Sequence, residues 1–167
     1  MKYRYLIALG SNQPHHRYGN PRQVLAATLQ QLDCKSVKLL SASSVIESAP
    51  LGPSSRRYAN AAVLVKTRLS PDDLLSQLQH IEDKFGRNRR GQRWGPRVLD
   101  LDIVLWSEGA FASPDLIIPH PEFRRRSFVL TPALDVAPAW RDPITGLKLR
   151  QLHFRLTRRL TIPHRLP

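Results

Sequence analysis

Two hydrophobic periodicities organise the first two thirds of the chain. Positions 3–9 alternate and are rich in β-formers, predicting a strand that runs into Gly10-Ser11-Asn12. A loop with Pro14, His15, His16 and Gly19 follows. Asn20-Pro21 then reads as an N-cap and first helical residue, and Val24, Leu25, Thr28, Leu29 and Leu32 recur on one helical face. Residues 37–47 and 60–67 predict two further strands, separated by a loop over 49–57 that its prolines and glycine mark. The clearest helix starts at Ser70, with Pro71 at its first position and Asp72 and Asp73 at its positive end. Ser70-x-x-Asp73 has the spacing of a capping box, with Asp in place of the usual Glu. Leu74, Leu78, Ile81 and Phe85 form its buried stripe, and Gly86 ends it. Residues 98–106 predict the last strand of the series, with Leu99, Leu101, Ile103 and Leu105 on one face and Asp100, Asp102 and Val104 on the other. The order β-α-β-β-α-β is that of a ferredoxin-like α+β fold, an antiparallel sheet with helices on one face. Residues 107–167 add loops and one or two short helices.

Length and composition narrow this picture. A chain of 167 residues without repeats or a low-complexity linker is expected to be a single domain, 1–167, with 146–167 a basic C-terminal extension. No run reaches the roughly 20 apolar residues that a membrane helix needs. The short apolar run at the start meets Gly10-Ser11-Asn12 too soon for a secretory leader. Cys34, the single cysteine, allows no internal disulfide, so a reducing cytoplasm is expected; as a residue after a helix it is expected to be a small buried or half-buried filler. The formal net charge of +13 attracts nucleotides, nucleic acid or acidic membrane without choosing among them.

The chemistry concentrates around the last predicted strand. Asp100 and Asp102 share one face with Cα atoms about 6.6–6.8 Å apart. Two neighbouring carboxylates raise one another's pKa unless a cation or arginines compensate, so the pair is either a site for a hard dication such as magnesium or the partner of nearby arginines. The preceding loop carries Arg87, Arg89, Arg90, Arg93 and Arg97. Arginine grips phosphate oxygens bidentately, and a phosphate-gripping loop that runs into an acid pair suits phosphoryl transfer. The same arginines also suit a nucleic-acid backbone or a solvated face. The sequence has neither a P-loop nor a nucleophile motif. Trp94 and Phe128 lie beside arginines and can stack a flat heterocycle, although core packing is the commoner role of such rings. His120, between two prolines, can reach a phosphate or serve only the loop.

The runs RWGPRVLDLDIVLW (93–106) and PHPEFRRRSFVLTP (119–132), with ALGSN (8–12), SAPLGP (48–53) and YANAAV (58–63), resemble the 6-hydroxymethyl-7,8-dihydropterin pyrophosphokinase family, in family order over about residues 3–140. The resemblance implies a ferredoxin-like fold and transfer of diphosphate from ATP to the hydroxymethyl group of a reduced pterin, with release of AMP, in folate biosynthesis. It implies that Asp100 and Asp102 hold two magnesium ions and that Arg87 and Arg97 engage ATP phosphates during reaction. Gln79, Glu82, Arg89, Ile103, His120 and Arg126 match nucleotide contacts. Ser48, Ala49, Leu51, Tyr58 and Asn60 match the pterin pocket, and Trp94 and Phe128 the rings that sandwich the pterin. Expected partners are ATP and the pterin, with no membrane and no nucleic acid, and the chain is expected to be a monomer. Ser48-Ala49 departs from the more usual Thr followed by Pro or Glu, which keeps open a paralogue acting on another pterin. A basic nucleic-acid-binding module is the reading from charge alone.

Overall fold

A strand order of β2-β4-β1-β5 places the first strand at the centre of an antiparallel sheet, where it is hydrogen-bonded on both sides. These are β1 (Tyr3–Ser11), β2 (Val37–Ala42), β4 (Tyr58–Thr67) and β5 (Asp100–Trp106); the short β3 (Ile46–Ser48) pairs with β4 beyond the end of β2. The helices α1 (Pro21–Leu32) and α2 (Pro71–Lys84) supply the two crossovers of the predicted plan. The computed structural model describes residues 1–49, 56–86 and 98–158.

The helix starts follow the sequence signals. Asn20 caps α1 by accepting from the Gln23 N–H, and the Gln23 side chain returns a bond from the Asn20 N–H. Ser70 caps α2 by accepting from the Asp73 N–H. The reciprocal half of that capping box does not form: the Ser70 hydroxyl instead donates to the Asp73 carboxylate at 2.6 Å. Gly86, at φ +78°, ends α2 in the left-handed region.

The sheet has a core on each side, not on one. Tyr5, Ile7, Leu9, Val63, Val65, Leu101 and Ile103 pack with Val24, Leu25 and Leu32 of α1 and Leu74, Leu78, Ile81 and Phe85 of α2. On the other face Leu6, Ala62, Val104 and Leu105 pack with Phe123, with Val129, Leu130 and Ala133 of α3 (Ser127–Val136), and with Leu149 and Leu152 of α4 (Leu149–Thr157). Full burial of a leucine contributes about 1.5–3 kcal/mol, so α4 is part of the folded unit although it lies in the basic tail. Within the tail, Leu152 covers the sheet, whereas Phe154 is 67% exposed. A hairpin of β6 (Phe111–Ala112) and β7 (Ile117–Ile118) follows β5.

Three sequence expectations are corrected. The predicted strand 37–47 is two strands, broken at Ser43-Ser44-Val45, where Ser43 Oγ accepts the Ala62 N–H and the Ser44 N–H and hydroxyl both reach Asp135. Leu105 does not share a face with Leu101 and Ile103. The β1–β5 register pairs Ile7 with Ile103 but Leu6 with Leu105, so Val104 is the extra residue of a bulge and the alternation flips there. Cys34 is exposed, not filler: its sulfur lies 3.3 Å from Ser36 Oγ and accepts from Gln77.

One buried ion pair ties the C-terminal segment to the rest. The Arg124 guanidinium donates to both carboxylate oxygens of fully buried Asp142, at 2.7 and 2.6 Å, and Thr145 and the Ile144 N–H add to the same carboxylate. Burial alone pushes the Asp142 carboxyl up, but the hydrogen bonds from Arg124, Thr145 and Ile144 outweigh it and hold it below the ordinary value. A depressed folded-state pKa stabilises the fold above the unfolded value, about 3.9, and that stability is lost as pH falls through the folded value. Acid titration of Tm should therefore show a steep loss below about pH 4 that is absent from Asp142→Asn, itself less stable at neutral pH. Parallel curves for the two proteins would remove Asp142 from the acid limb.

Candidate active site

The central strand sets the floor of a cavity on the α3 face. Ala8 and Gly10 follow Leu6 on this face of β1, and both are small. In register, Gly10 lies between Asn60 of β4 and Asp100 of β5, and Ala8 between Ala62 and Asp102. The large residues of β1, Ile7 and Leu9, point to the other core. Above this row is a cavity of about 480 Å³, lined by Ala8, Leu9, Gly10, Ser48, Ala49, Tyr58, Asn60, Asp100, Asp102, His120, Glu122, Arg126, Phe128 and Val129.

Each wall is held by a local device. Asn60 is 5% exposed; its amide donates to Ser48 Oγ at 2.8 Å and to the Tyr58 carbonyl at 3.3 Å, which joins β3 to β4 and fixes the amide plane. On the far side, the His120 N–H donates to the Val104 carbonyl in the bulge. His120 Nδ1 accepts the Glu122 N–H, so the neutral ring carries its proton on Nε2, and Nε2 faces Asp102 Oδ2 at 4.0 Å. Arg126 stands over the Phe128 ring, 5.9 Å from its centroid. The cavity thus offers an acid pair, an imidazole and an arginine together with an amide and aromatic rings. That suits a planar polar ring joined to a charged group.

The chemistry of the acid pair fits a hard dication. Two half-exposed carboxylates on one strand face offer oxygen ligands only and leave room for water, as magnesium demands. No group of three or more His, Cys, Asp or Glu among the described residues can hold a metal, so the remaining ligands would be water and substrate oxygens.

The structure brings Ser48, Ala49, Tyr58, Asn60, Asp100, Asp102, His120, Arg126 and Phe128 to this one cavity. It places three others elsewhere. Ile103 is a core residue on the opposite sheet face, 2% exposed. Gln79 is half-buried on α2. Glu82 is 2% exposed, and its carboxylate accepts the Leu101 N–H at 2.7 Å, which anchors the start of β5 to α2. Leu51, Arg87, Arg89, Trp94 and Arg97 lie outside the described residues. Of the cavity-lining residues, sequence reasoning missed Ala8, Leu9, Glu122 and Val129. Ala8 had a signal, a second small residue two before Gly10 on the central strand; Glu122 and Val129 had none. Replacing Glu82 with Ala leaves the buried Leu101 N–H without its acceptor, at a cost of about 2 kcal/mol. In a domain of this size Tm should fall by roughly 4–8 °C, and less for Glu82→Gln, which keeps an acceptor. An unchanged Tm in the Ala variant would show that the carboxylate serves a ligand and not the sheet.

Comparison with known proteins shows the family. Residues 6–138 match the family model described as 7,8-dihydro-6-hydroxymethylpterin-pyrophosphokinase. The 2-amino-4-hydroxy-6-hydroxymethyldihydropteridine pyrophosphokinase of Pseudomonas aeruginosa is 41% identical over 145 residues, 86% of each chain. The protein of the same name from Synechocystis is 43% identical over 110 residues, 66% of this chain and 56% of that one. Among solved structures, Plasmodium falciparum HPPK-DHPS superposes with a TM-score of 0.74 at 14% identity, over 93% of this chain and 45% of that chain, a likeness of fold alone. With the family model spanning most of the chain and a relative 41% identical along 86% of it, the chain belongs to the 7,8-dihydro-6-hydroxymethylpterin-pyrophosphokinase family.

Proposed function

We propose that the chain carries out its family's reaction in the cavity over β1: diphosphate passes from ATP to the hydroxymethyl group of 6-hydroxymethyl-7,8-dihydropterin, and AMP leaves. The observation that carries this reading is the arrangement across three strands, with Asn60 and Asp100 on either side of Gly10. The pterin lies over Ala8 and Gly10 with its polar edge at Asn60 and Ser48 and its ring against Tyr58 and Phe128. Its hydroxymethyl group then points along the floor toward Asp100 and Asp102.

The transfer needs no protein nucleophile. The pterin hydroxyl oxygen forms a bond to the β-phosphorus, the bond from that phosphorus to the α–β bridging oxygen breaks, and the hydroxyl proton is released. Asp100 and Asp102 would hold magnesium, two ions in this reading, which when bound lowers the hydroxyl pKa and neutralises phosphate charge. Arg126 and the His120 Nε2–H supply positive or donor groups toward the phosphates, and Arg87, Arg89 and Arg97 are proposed to do the same from the segment beyond α2. The hydrogen bond at Nδ1 presents His120 in the donor tautomer.

No helix among the described residues is long and apolar enough to cross a membrane; a cytoplasmic monomer is the proposed state. The test is direct. The pure protein with ATP, magnesium and 6-hydroxymethyl-7,8-dihydropterin should release AMP in step with pterin diphosphate. AMP release that does not require the pterin, or none at all, would overturn the reading.

A further inference from the structure

Three consecutive arginines, Arg124, Arg125 and Arg126, precede α3, and only Arg126 lines the cavity. The guanidinium fork of Arg124 is engaged by a carboxylate. Its Nε and Nη2 both donate to Asp142, and its guanidinium lies 4.7 Å from the centroid of the buried Phe123 ring. Asp142 is the hub of a turn as well. Its backbone N–H donates to the Leu147 carbonyl, and its carbonyl accepts the Gly146 N–H. Residues 142–147 are therefore folded around the carboxylate that Arg124 holds.

The run from 120 to 126 is tightly wound. The Phe123 N–H donates to His120, the Arg125 N–H to Glu122, and the Arg126 N–H to Phe123. Four cavity residues, His120, Glu122, Arg126 and Phe128, stand on this run or just after it. Anchoring Arg124 therefore anchors that whole wall, and the anchor comes from a segment beyond residue 138, where the family match ends.

We infer that Arg124 and Asp142 are a positioning pair for the active site: the C-terminal segment, through one bidentate ion pair, sets the placement of His120, Arg126 and Phe128 against the acid pair on β5. Arg124 itself touches no substrate. This inference rests on the reading of the cavity as the site of diphosphate transfer.

A buried ion pair can often be replaced by apolar residues without loss of stability, which separates positioning from folding. The double variant Arg124→Met/Asp142→Leu should stay folded, with Tm lowered by the lost Thr145 and Ile144 bonds, yet lose about tenfold or more in kcat/KM per folded molecule, because displacement of an ångström suffices for such losses. Its KM for both substrates should rise. Arg124→Lys, which keeps the charge and loses the fork, should show a smaller loss of the same kind. Thr67→Ala removes buried hydrogen bonds at the opposite end of the sheet; it should lower Tm and leave kcat/KM per folded molecule as in the parent. A readout independent of turnover is the ring resonance of His120 in the ligand-free protein, assigned by its loss in His120→Gln. It should move in both Arg124 variants and stay in Thr67→Ala. A double variant or Arg124→Lys with parental kcat/KM and an unmoved His120 resonance would overturn the inference. If the parent releases no AMP, the functional reading fails, while the His120 resonance still decides whether the pair positions the wall.

Discussion

Asp100→Asn and Asp102→Asn should each fold as the parent does and lose turnover by roughly two orders of magnitude or more, the equivalent of about 3 kcal/mol of transition-state stabilisation. The two carboxylates sit on the cavity face of β5, opposite Gly10 and Ala8, while Leu101 and Ile103 between and beside them are in the core. Asparagine keeps the size and the strand register and removes one charge. A dication held between the pair would lose one of its two protein carboxylates, and magnesium takes only one or two from protein. The Asp102 side chain is 41% exposed, so neutralising it exposes no buried group and leaves no large desolvation cost to be felt in the fold. Removing one of two like charges can even raise Tm slightly. If the pair instead serves as a structural partner for arginines, the same variants should melt several degrees lower and keep near-normal activity per folded molecule. Thermal denaturation and AMP release on the two variants separate these outcomes.

The elements were legible where local chemistry is self-sufficient. Asn20 with Pro21 and Ser70 with Pro71 announce helix starts that need no tertiary partner, and they stand where the sequence places them. The second core was not legible. Helix α3, SFVLTPALDV, is apolar almost throughout, so its pattern does not say which sheet face it covers. The bulge at Val104 was hidden for a related reason. In VLDLDIVLW every residue after Asp102 is apolar, so nothing in the alternation marks the extra residue; only pairing with the central strand does.

The candidate site divides along the same line. The acid pair, Asn60 and Phe128 were legible from residue type and resemblance, and the fold brings them to one cavity. Glu82 and Ile103 were legible as residues of a motif, but their side chains are in the interior, one committed to the Leu101 N–H and the other to the α1–α2 core. The Arg124–Asp142 pair was not legible, because the partners are 18 residues apart and a long-range ion pair leaves no mark on spacing. Small residues are the least visible of all. A glycine or alanine in a strand reads as weak β propensity, and only the sheet puts Ala8 and Gly10 together on the cavity floor.

That last point gives the second large effect. Gly10→Val should leave the protein folded, with Tm unchanged or raised, and reduce kcat/KM for the pterin about a hundredfold or more. The backbone permits it: Gly10 does not have positive φ, and a Cβ there would meet Asn60 Oδ1 at 3.7 Å and Tyr58 at 4.0 Å, ordinary contacts. Valine is also a better strand former than glycine, which loses more entropy on folding. Gly10 lines the cavity between Asn60 and Asp100, so the added methyl groups would take up space there. They would lift a flat ring off the floor and away from the Asn60 amide, whose orientation is fixed by Ser48 and the Tyr58 carbonyl. Gly10→Ala, with a single methyl, should fall between valine and the parent. Nucleotide binding, measured by calorimetry without pterin, should change much less, because the proposed reading puts the phosphates at Asp100, Asp102, His120 and Arg126 and not on the floor. Parental kcat/KM in a folded Gly10→Val protein would mean that the substrate does not lie across the central strand, and the assignment of Asn60 to its polar edge would fall with it. The graded series is the stronger form of the test, since a site elsewhere on the molecule would respond to neither methyl nor isopropyl.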